Sequence, residues 1–430
     1  MVINHILLKS SCWFCILIFS CGENEQVNNE LTYWSANNPE EMEFAENRIK
    51  IWNNENREFP IHFQPVPEGS SSEEIILASV VGKTTPDIYA NMWQGDVEDY
   101  ALAGVLVALD TLEGFMTFLQ DRCSEFVIQE ITSSDGHIYQ IPWKANPIMM
   151  LYNPAMFQQE GITQAPRSYT EFLSIAKKVT QDRNHDGYTD QWMGTTEVAA
   201  IWWQRFFNFL PLYFAASGGA PLVQNGKAKF DNEYAVSVFR FLQEIYRNGY
   251  FPKEQAKSQS DPFLTGGIAV KFTGPWDIMQ LNRFKSDAVQ FDFAPMPIPE
   301  STDTLPYTYC DPKNIVIFNS CASPEVAWKF LQTMINEDAD LTFLKLSQQL
   351  PRRKDLSSNI KFIQYFDENP SLKPFQRQSA YLKGMDSSPY MKEVLDLISQ
   401  EYELCVVYDQ KTPEEAIKDA AKAVNLLYLE

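Results

Sequence analysis

Leu31-Thr32-Tyr33-Trp34-Ser35 opens the stretch whose reading decides the fold. These five residues read as a short strand, and a helix follows over about 39–56. In it Met42, Ala45, Ile49 and Trp52 form one apolar stripe. Residues 60–65 read as the next strand. A Ser-rich turn then starts a helix that runs to Gly82, with Ser71 and Glu74 in capping-box relation. Pro86-Asp87 leads into a third strand over 88–92. Strands joined by crossover helices run parallel, so this order predicts an α/β fold: a mostly parallel sheet with helices on both faces.

Outward from that stretch the alternation continues. After Asp135-Gly136, residues 139–142 and 149–152 look like strands and 168–179 like a helix. A further helix spans 233–248, with Ala235, Val238, Leu242 and Ile245 on one face and Gly249 past its end. Phe272 and residues 291–294 look like strand material, and 295–299 reads as a linker. Ser323 as cap with Pro324 behind it starts another helix. Thr412, Pro413 and Glu415 start the last, whose stripe is Ile417, Ala420, Val424 and Leu427. No internal repeat or low-complexity run interrupts this pattern.

At 430 residues the chain is too long for one ordinary core, which predicts two lobes. It is 45% hydrophobic with a mean hydropathy of −0.29, the composition of a globular protein. A formal charge of −21 repels phosphate backbones and anionic lipid, so nucleic acid is not an expected partner.

The beginning of the chain carries a separate signal. Lys9 precedes an apolar run over 12–19 that is too short to span a bilayer, the pattern of a secretory signal peptide. Phe19-Ser20-Cys21-Gly22 at its end resembles a bacterial lipoprotein processing site. On this expectation 1–20 is removed, Cys21 carries the lipid, and 21–30 tethers the domain to a membrane facing the periplasm or the cell exterior. The alternative is an ordinary secretory signal with an incidental cysteine. Cys123, Cys310, Cys321 and Cys405 remain, enough for one or two disulfides that spacing does not pair. These four have no CxxC spacing, and the four histidines share no metal-ligand spacing, so zinc is unsupported.

Four stretches, in order, resemble the extracellular solute-binding protein family 1 of ABC importers, which includes the maltose-binding proteins. The first is Thr85-Pro86-Asp87-Ile88, followed by Tyr100-Ala101-Leu102-Ala103-Gly104-Val105-Leu106 and Leu109-Asp110. The second is Asp135-Gly136-His137-Ile138-Tyr139-Gln140-Ile141-Pro142, then Leu151-Tyr152-Asn153, Gly161, Pro166 and Glu171-Phe172. Phe263-Leu264-Thr265-Gly266-Gly267-Ile268-Ala269-Val270 leading to Gly274-Pro275-Trp276 is the third. Ala327-Trp328-Lys329-Phe330-Leu331 with Leu350-Pro351-Arg352 is the fourth.

The resemblance implies a two-lobe, maltose-binding-protein-like fold (type II) that closes on a ligand. It implies an N-terminal lobe of 31–143 and 293–337 and a C-terminal lobe of 144–292 and 338–430. Crossings would lie near 143–147, 291–297 and 337–341. It also implies a small-molecule sugar ligand, an ABC permease as partner, no catalysis and no required cofactor.

Open α/β sheets bind ligands at the C-terminal ends of their strands. Candidates there are Trp34, Asn37 and Glu40 after the first strand, and Asn91 and Trp93 after the third. Trp143 and Asn146 sit at the first crossing, Trp202 or Trp203 in the second lobe, and Tyr309 with Asp311 at the lobe boundary. Arg352 follows Leu350-Pro351. Gly274 allows a tight turn, Pro275 fixes φ, and Trp276 projects from it. An aromatic plane suits the apolar C–H face of a sugar, although each of these rings equally suits a core.

Asp182, Asn184, Asp186 and Asp190, with Gly187 at the sharp turn and a backbone carbonyl at Tyr188, have the spacing of a calcium loop. The usual glutamate is absent, because Met193 occupies its position. The expectation is a structural calcium ion, with an acidic solvated turn as the alternative. Two functions compete with a receptor: a secreted glycosidase, which needs only two carboxylates, and a surface adhesin with no small ligand. The chain lacks Gly-x-Ser-x-Gly, His-Glu-x-x-His, Gly-x-Gly-x-x-Gly and Walker signatures.

Overall fold

The computed structural model describes residues 29–67, 71–254 and 261–429. The expected signal peptide, Cys21 and most of the expected tether lie outside the described residues. Thirteen strands among the described residues, β1 to β13 in chain order, form two main sheets and two short ribbons.

In the first sheet β1 (Leu31–Ser35) buries Leu31, Tyr33 and Ser35 on one face, the alternation of a half-buried strand. β2 (Ile61–Pro65) and β3 (Ile88–Trp93) run parallel to it. The helix Pro39–Glu55 between β1 and β2 starts where the Asn38 side chain accepts the Glu41 N–H and Pro39 pre-sets φ. Phe44, Ala45, Ile49 and Trp52 make its buried face, with Met42 only half-buried. Ser71 caps the helix Ser72–Gly82 through the Glu74 N–H.

The sheet is less parallel than its opening units imply. β12 (Pro312–Ile317) inserts antiparallel between β3 and β4 (Ile141–Ala145), because it enters from the other half of the molecule. β4 also begins later than the expected 139–142.

The second sheet has the order β10-β5-β9-β6. β5 (Met149–Tyr152) runs antiparallel to both β9 (Ile268–Thr273) and β10 (Asp292–Ala294), and β6 (Trp192–Gly194) runs parallel to β9. β7 (Val223–Gln224) and β8 (Lys227–Ala228) form a hairpin; β11 (Thr308–Tyr309) and β13 (Leu382–Lys383) form a parallel ribbon. Ser323 precedes the helix Pro324–Met334 as expected, but its side chain makes no cap hydrogen bond. Thr412 and Glu415 do form a reciprocal capping box on Pro413–Leu427. Cys123, Cys310, Cys321 and Cys405 are buried and free, so no disulfide joins them.

The two main sheets share no strand, and the chain passes between them three times. The first passage, 146–148, joins β4 to β5. The return comes later than the expected 291–297. β10 still pairs with β5, Ile298 bridges to Ser168, and only at β12 does the chain join the first sheet. Residues 295–307 lack any periodic pattern that would have marked this. The third passage follows the helix Glu337–Ser347 rather than sitting at 337–341. Phe343 of that helix packs in the first-lobe core and Leu344 in a second-lobe cluster.

The three passages lie side by side. Ala145 N–H donates to the Leu350 carbonyl at 3.0 Å, Ile148 N–H to Tyr309 at 2.9 Å and Arg352 N–H to Trp143 at 2.8 Å.

Beside them a buried ion triad joins three elements. Arg122, ending the helix Phe115–Arg122, contacts both carboxylate oxygens of Asp340 at 2.5 and 3.1 Å, and Arg353 Nη1 reaches the same carboxylate at 2.9 Å. Asp340 is fully buried. Removing one partner strands a buried charge, which costs about 3–5 kcal/mol. Asp340→Ala is therefore expected to lower urea-unfolding stability by about that amount; a loss below ~1 kcal/mol, the range of exposed pairs, would contradict this role.

Candidate ligand-binding cleft

The space between the lobes is floored by polar side chains of the first lobe. Lys144 of β4 donates to Glu41 Oε1 at 2.7 Å and to Asn91 Oδ1 at 3.2 Å. Gln349 Nε2 donates to the same Glu41 oxygen at 2.9 Å, and Asn146 Nδ2 donates to Gln349 Oε1 at 2.8 Å. Burial pushes the Glu41 carboxyl up, yet the Lys144 ammonium and these hydrogen bonds outweigh it and leave it below its ordinary range. Lys313 pairs with Glu73 at 2.9 Å.

Asp311 sits between these pairs at a φ of 36°, a left-handed position that Asp tolerates better than most residues. Burial drives its carboxyl up, against the Lys313 charge. Glu41 Oε2 and Asp311 Oδ1 are both buried without a hydrogen-bond partner among the described residues. Two acceptors are thus left for donors from elsewhere.

The second lobe carries an aromatic groove of its own. Trp276 follows the Gly274-Pro275 turn at the end of β9, half-buried and edge-on to Phe207 at 6.4 Å. A Cβ on Gly274 would lie 2.3 Å from the Trp276 ring, so only glycine lets that ring fold back over its own turn. Trp276, Phe207, Gln204, Glu197, Thr196 and Thr273 line a groove of about 970 Å³, at the upper end of small-ligand sites.

Contacts between the lobes close the space at its edges. Arg283 reaches Glu40 at 3.8 Å and Lys392 reaches Asp96 at 2.9 Å. Trp93, at the end of β3, lies 4.9 Å from Trp202 and 5.3 Å from Phe206, and its Nε1 donates to the Tyr309 hydroxyl at 2.9 Å. Glu130 of the first lobe takes Arg352 Nη2 at 2.7 Å and the Gly384 N–H at 3.1 Å.

The residues singled out from sequence fall into distinct groups. Glu40, Asn91, Asn146 and Asp311 gather at the floor and its edge, and Gly274 and Trp276 at the wall. Asn37 is exposed in the bend after β1, Trp34 is half-buried against a small first-lobe cluster, and Trp203 is 38% exposed.

Four expectations need correction. Trp143 is in the first-lobe core, 4.8 Å from Phe343 and 6.4 Å from Phe44. Strand alternation puts Lys144, its neighbour, on the cleft side instead. Tyr309 is fully buried against Phe206, and Arg352 is engaged by Glu130, so neither is open to a ligand. Trp93 likewise spends its ring on the contact between lobes. Glu41, Lys144, Glu73 and Lys313 escaped the sequence reading. The alternation that buries Trp143 was the one signal that pointed to Lys144.

The acidic loop is held by its own backbone. Asp182 accepts the Asp186 and Gly187 N–H groups, Asn184 that of Asp186, and Asp186 that of Tyr188. Asp190 accepts the N–H groups of Arg183 and Asn184. The Asn184–Asp186 and Asp186–Tyr188 contacts are Asx turns. Among the described residues no group of three or more His, Cys, Asp or Glu side chains is arranged to hold a metal ion.

Two sheets that share no strand, joined by three passages, define a two-lobe periplasmic-binding-protein fold. The family described as bacterial extracellular solute-binding protein matches residues 47–371, and the chain belongs to it. A maltotriose-binding protein of Pyrococcus abyssi is 22% identical over 315 residues, 72% of this chain and 63% of that protein's length. An uncharacterized protein of Listeria monocytogenes has a similar structure, with a TM-score of 0.79 and 25% identity over 93% of this chain and 99% of that one. The maltose/maltodextrin-binding domain MalE of Bdellovibrio bacteriovorus, bound to maltotriose, gives a TM-score of 0.70 and 20% identity over 93% and 100%.

Asp96 makes the contact between lobes sensitive to pH. Burial raises its carboxyl to about 6 despite Lys392, whereas an unfolded aspartate sits near 3.9. Between those values the folded chain holds a proton that the unfolded chain releases. This group's contribution is therefore complete below about pH 4 and is lost as pH rises through 6. Asp96→Asn stays uncharged throughout, so its stability relative to the parent is expected to rise from pH 4 to 7 in denaturant titrations. A pH-independent difference would contradict this.

Proposed function

We propose that this protein is the extracytoplasmic receptor of an ABC importer that takes a sugar or oligosaccharide between its lobes and hands it unaltered to a permease. The observation that carries this reading is Trp276, held on its Gly-Pro turn in a groove where Thr196, Thr273, Gln204 and Glu197 stand beside the aromatic Trp192, Phe207 and Phe272. An aromatic face covers the apolar side of a sugar ring while hydroxyl partners fix its edges. The unpartnered Glu41 and Asp311 oxygens suit the same ligand, which is rich in O–H donors. The maltotriose ligands named for the Pyrococcus and Bdellovibrio proteins point to the same class.

The anchor belongs to this proposal. A lipid on Cys21 and a polar tether keep the receptor beside its permease, outside the cytoplasm. Among the described residues no helix is long and apolar enough to cross a membrane.

Calorimetric titration with maltotriose and related oligosaccharides tests the reading. The parent is expected to bind at least one of them, and Trp276→Ala to bind it at least tenfold more weakly, about 1.4 kcal/mol. Hydrolysis of the saccharide by the parent, or no binding of any saccharide, would overturn it.

A further inference from the structure

Arg205 lies in the 3-10 helix Trp202–Phe207 and is fully buried. Its guanidinium carbon stands 3.7 Å from the centre of the Tyr402 ring, which covers one of its faces. Nε, Nη1 and Nη2 all lack a hydrogen-bond partner among the described residues. Two other buried polar atoms share this condition: Nδ2 of Asn208, three residues on, and the Tyr402 hydroxyl. The contrast within the chain is sharp. Buried Arg122 is paired with Asp340 and buried Arg352 with Glu130. An unpaired buried charge is among the costliest features of a fold, so a counter-charge is expected.

Burial opposes the Arg205 charge, and Tyr402, Tyr246 and Glu197 favour it; the Tyr402 hydroxyl is near enough to interact with the guanidinium but does not reach hydrogen-bond geometry. Glu197 accepts the Val198 and Ala199 N–H groups on one of its oxygens. The Tyr246 hydroxyl lies 2.8 Å from Thr196 Oγ1, and Thr196, Glu197 and Gln204 line the groove. Arg205 is thus one side chain behind the groove wall. Thr195, Thr196 and Glu197, in a stretch that carries no helix or strand, form part of that wall. Guanidinium donors lie in the plane of the group. With a ring on one face, a planar oxyanion approaches edge-on and takes two parallel N–H bonds.

We propose that Arg205, with the Asn208 amide and the Tyr402 hydroxyl, forms an internal site for a carboxylate-type oxyanion, either a free anion or a carboxyl group borne by the ligand. The free-anion form is independent of the proposed function; the ligand-borne form rests on it.

The test uses the full chain in a buffer whose only anion is chloride. Sodium formate, added at constant ionic strength, is expected to raise the melting temperature of the parent in a saturable way. Arg205→Met is expected to abolish this response and Arg205→Lys to retain part of it. If the anion is ligand-borne, formate has little effect. In that case the affinity ratio of trigalacturonate over maltotriose falls at least tenfold on Arg205→Met. Should Arg205→Met fail to fold, crystals of the parent soaked in selenate supply the readout, with an anomalous peak beside the guanidinium expected. Only water at Arg205, with no formate response and no preference for the acidic sugar, overturns the proposal. A formate response in a protein that binds no sugar leaves this site standing and removes the transport reading.

Discussion

Everything in this molecule depends on three short segments of chain lying side by side between two independent sheets. Residues 145–148, 309–312 and 350–352 are cross-linked by backbone hydrogen bonds of 2.8 to 3.0 Å. The lobes share no ladder, so relative motion of the lobes bends these segments and leaves both sheets intact. Side chains fasten the same region. Arg352 joins Glu130 to the passage that carries Cys310, and Arg122, Asp340 and Arg353 brace the third passage. The joint is therefore fastened by side chains as well as by backbone.

That arrangement gives the cleft its chemistry. Because the first passage continues β4, strand alternation brings Lys144 to the floor, where it meets Glu41 and Asn91. Because the second passage feeds β12, Asp311 and Lys313 arrive beside them. The second lobe brings the apolar partner, Trp276, on a turn that only glycine permits. The polar cluster and the aromatic groove belong to different lobes. The pairs across the rim, such as Arg283 with Glu40 at 3.8 Å, are partly exposed and contribute little on their own.

Much of the fold was legible because it rests on local rules. The helix over 39–55, the strand at 88–93 and the capping box at Thr412 follow from periodicity and cap chemistry that neighbours do not override. The lobe boundary was not, because residues 295–307 carry neither period and join the second lobe through contacts such as Ile298 with Ser168. Site residues were harder still. Trp143, Tyr309 and Trp276 look alike as letters, and only packing separates two buried rings from one that lines a groove. Buried polar residues leave no periodic trace, which is why Glu40 stood out while Glu41, one residue on, holds the floor together.

Small-angle scattering of the purified protein, with and without a saccharide shown by calorimetry to bind, tests the central claim most directly. The hinge requires the radius of gyration to fall on saturation while the secondary-structure content stays constant. An unchanged scattering profile at saturating ligand would show one rigid body and contradict it.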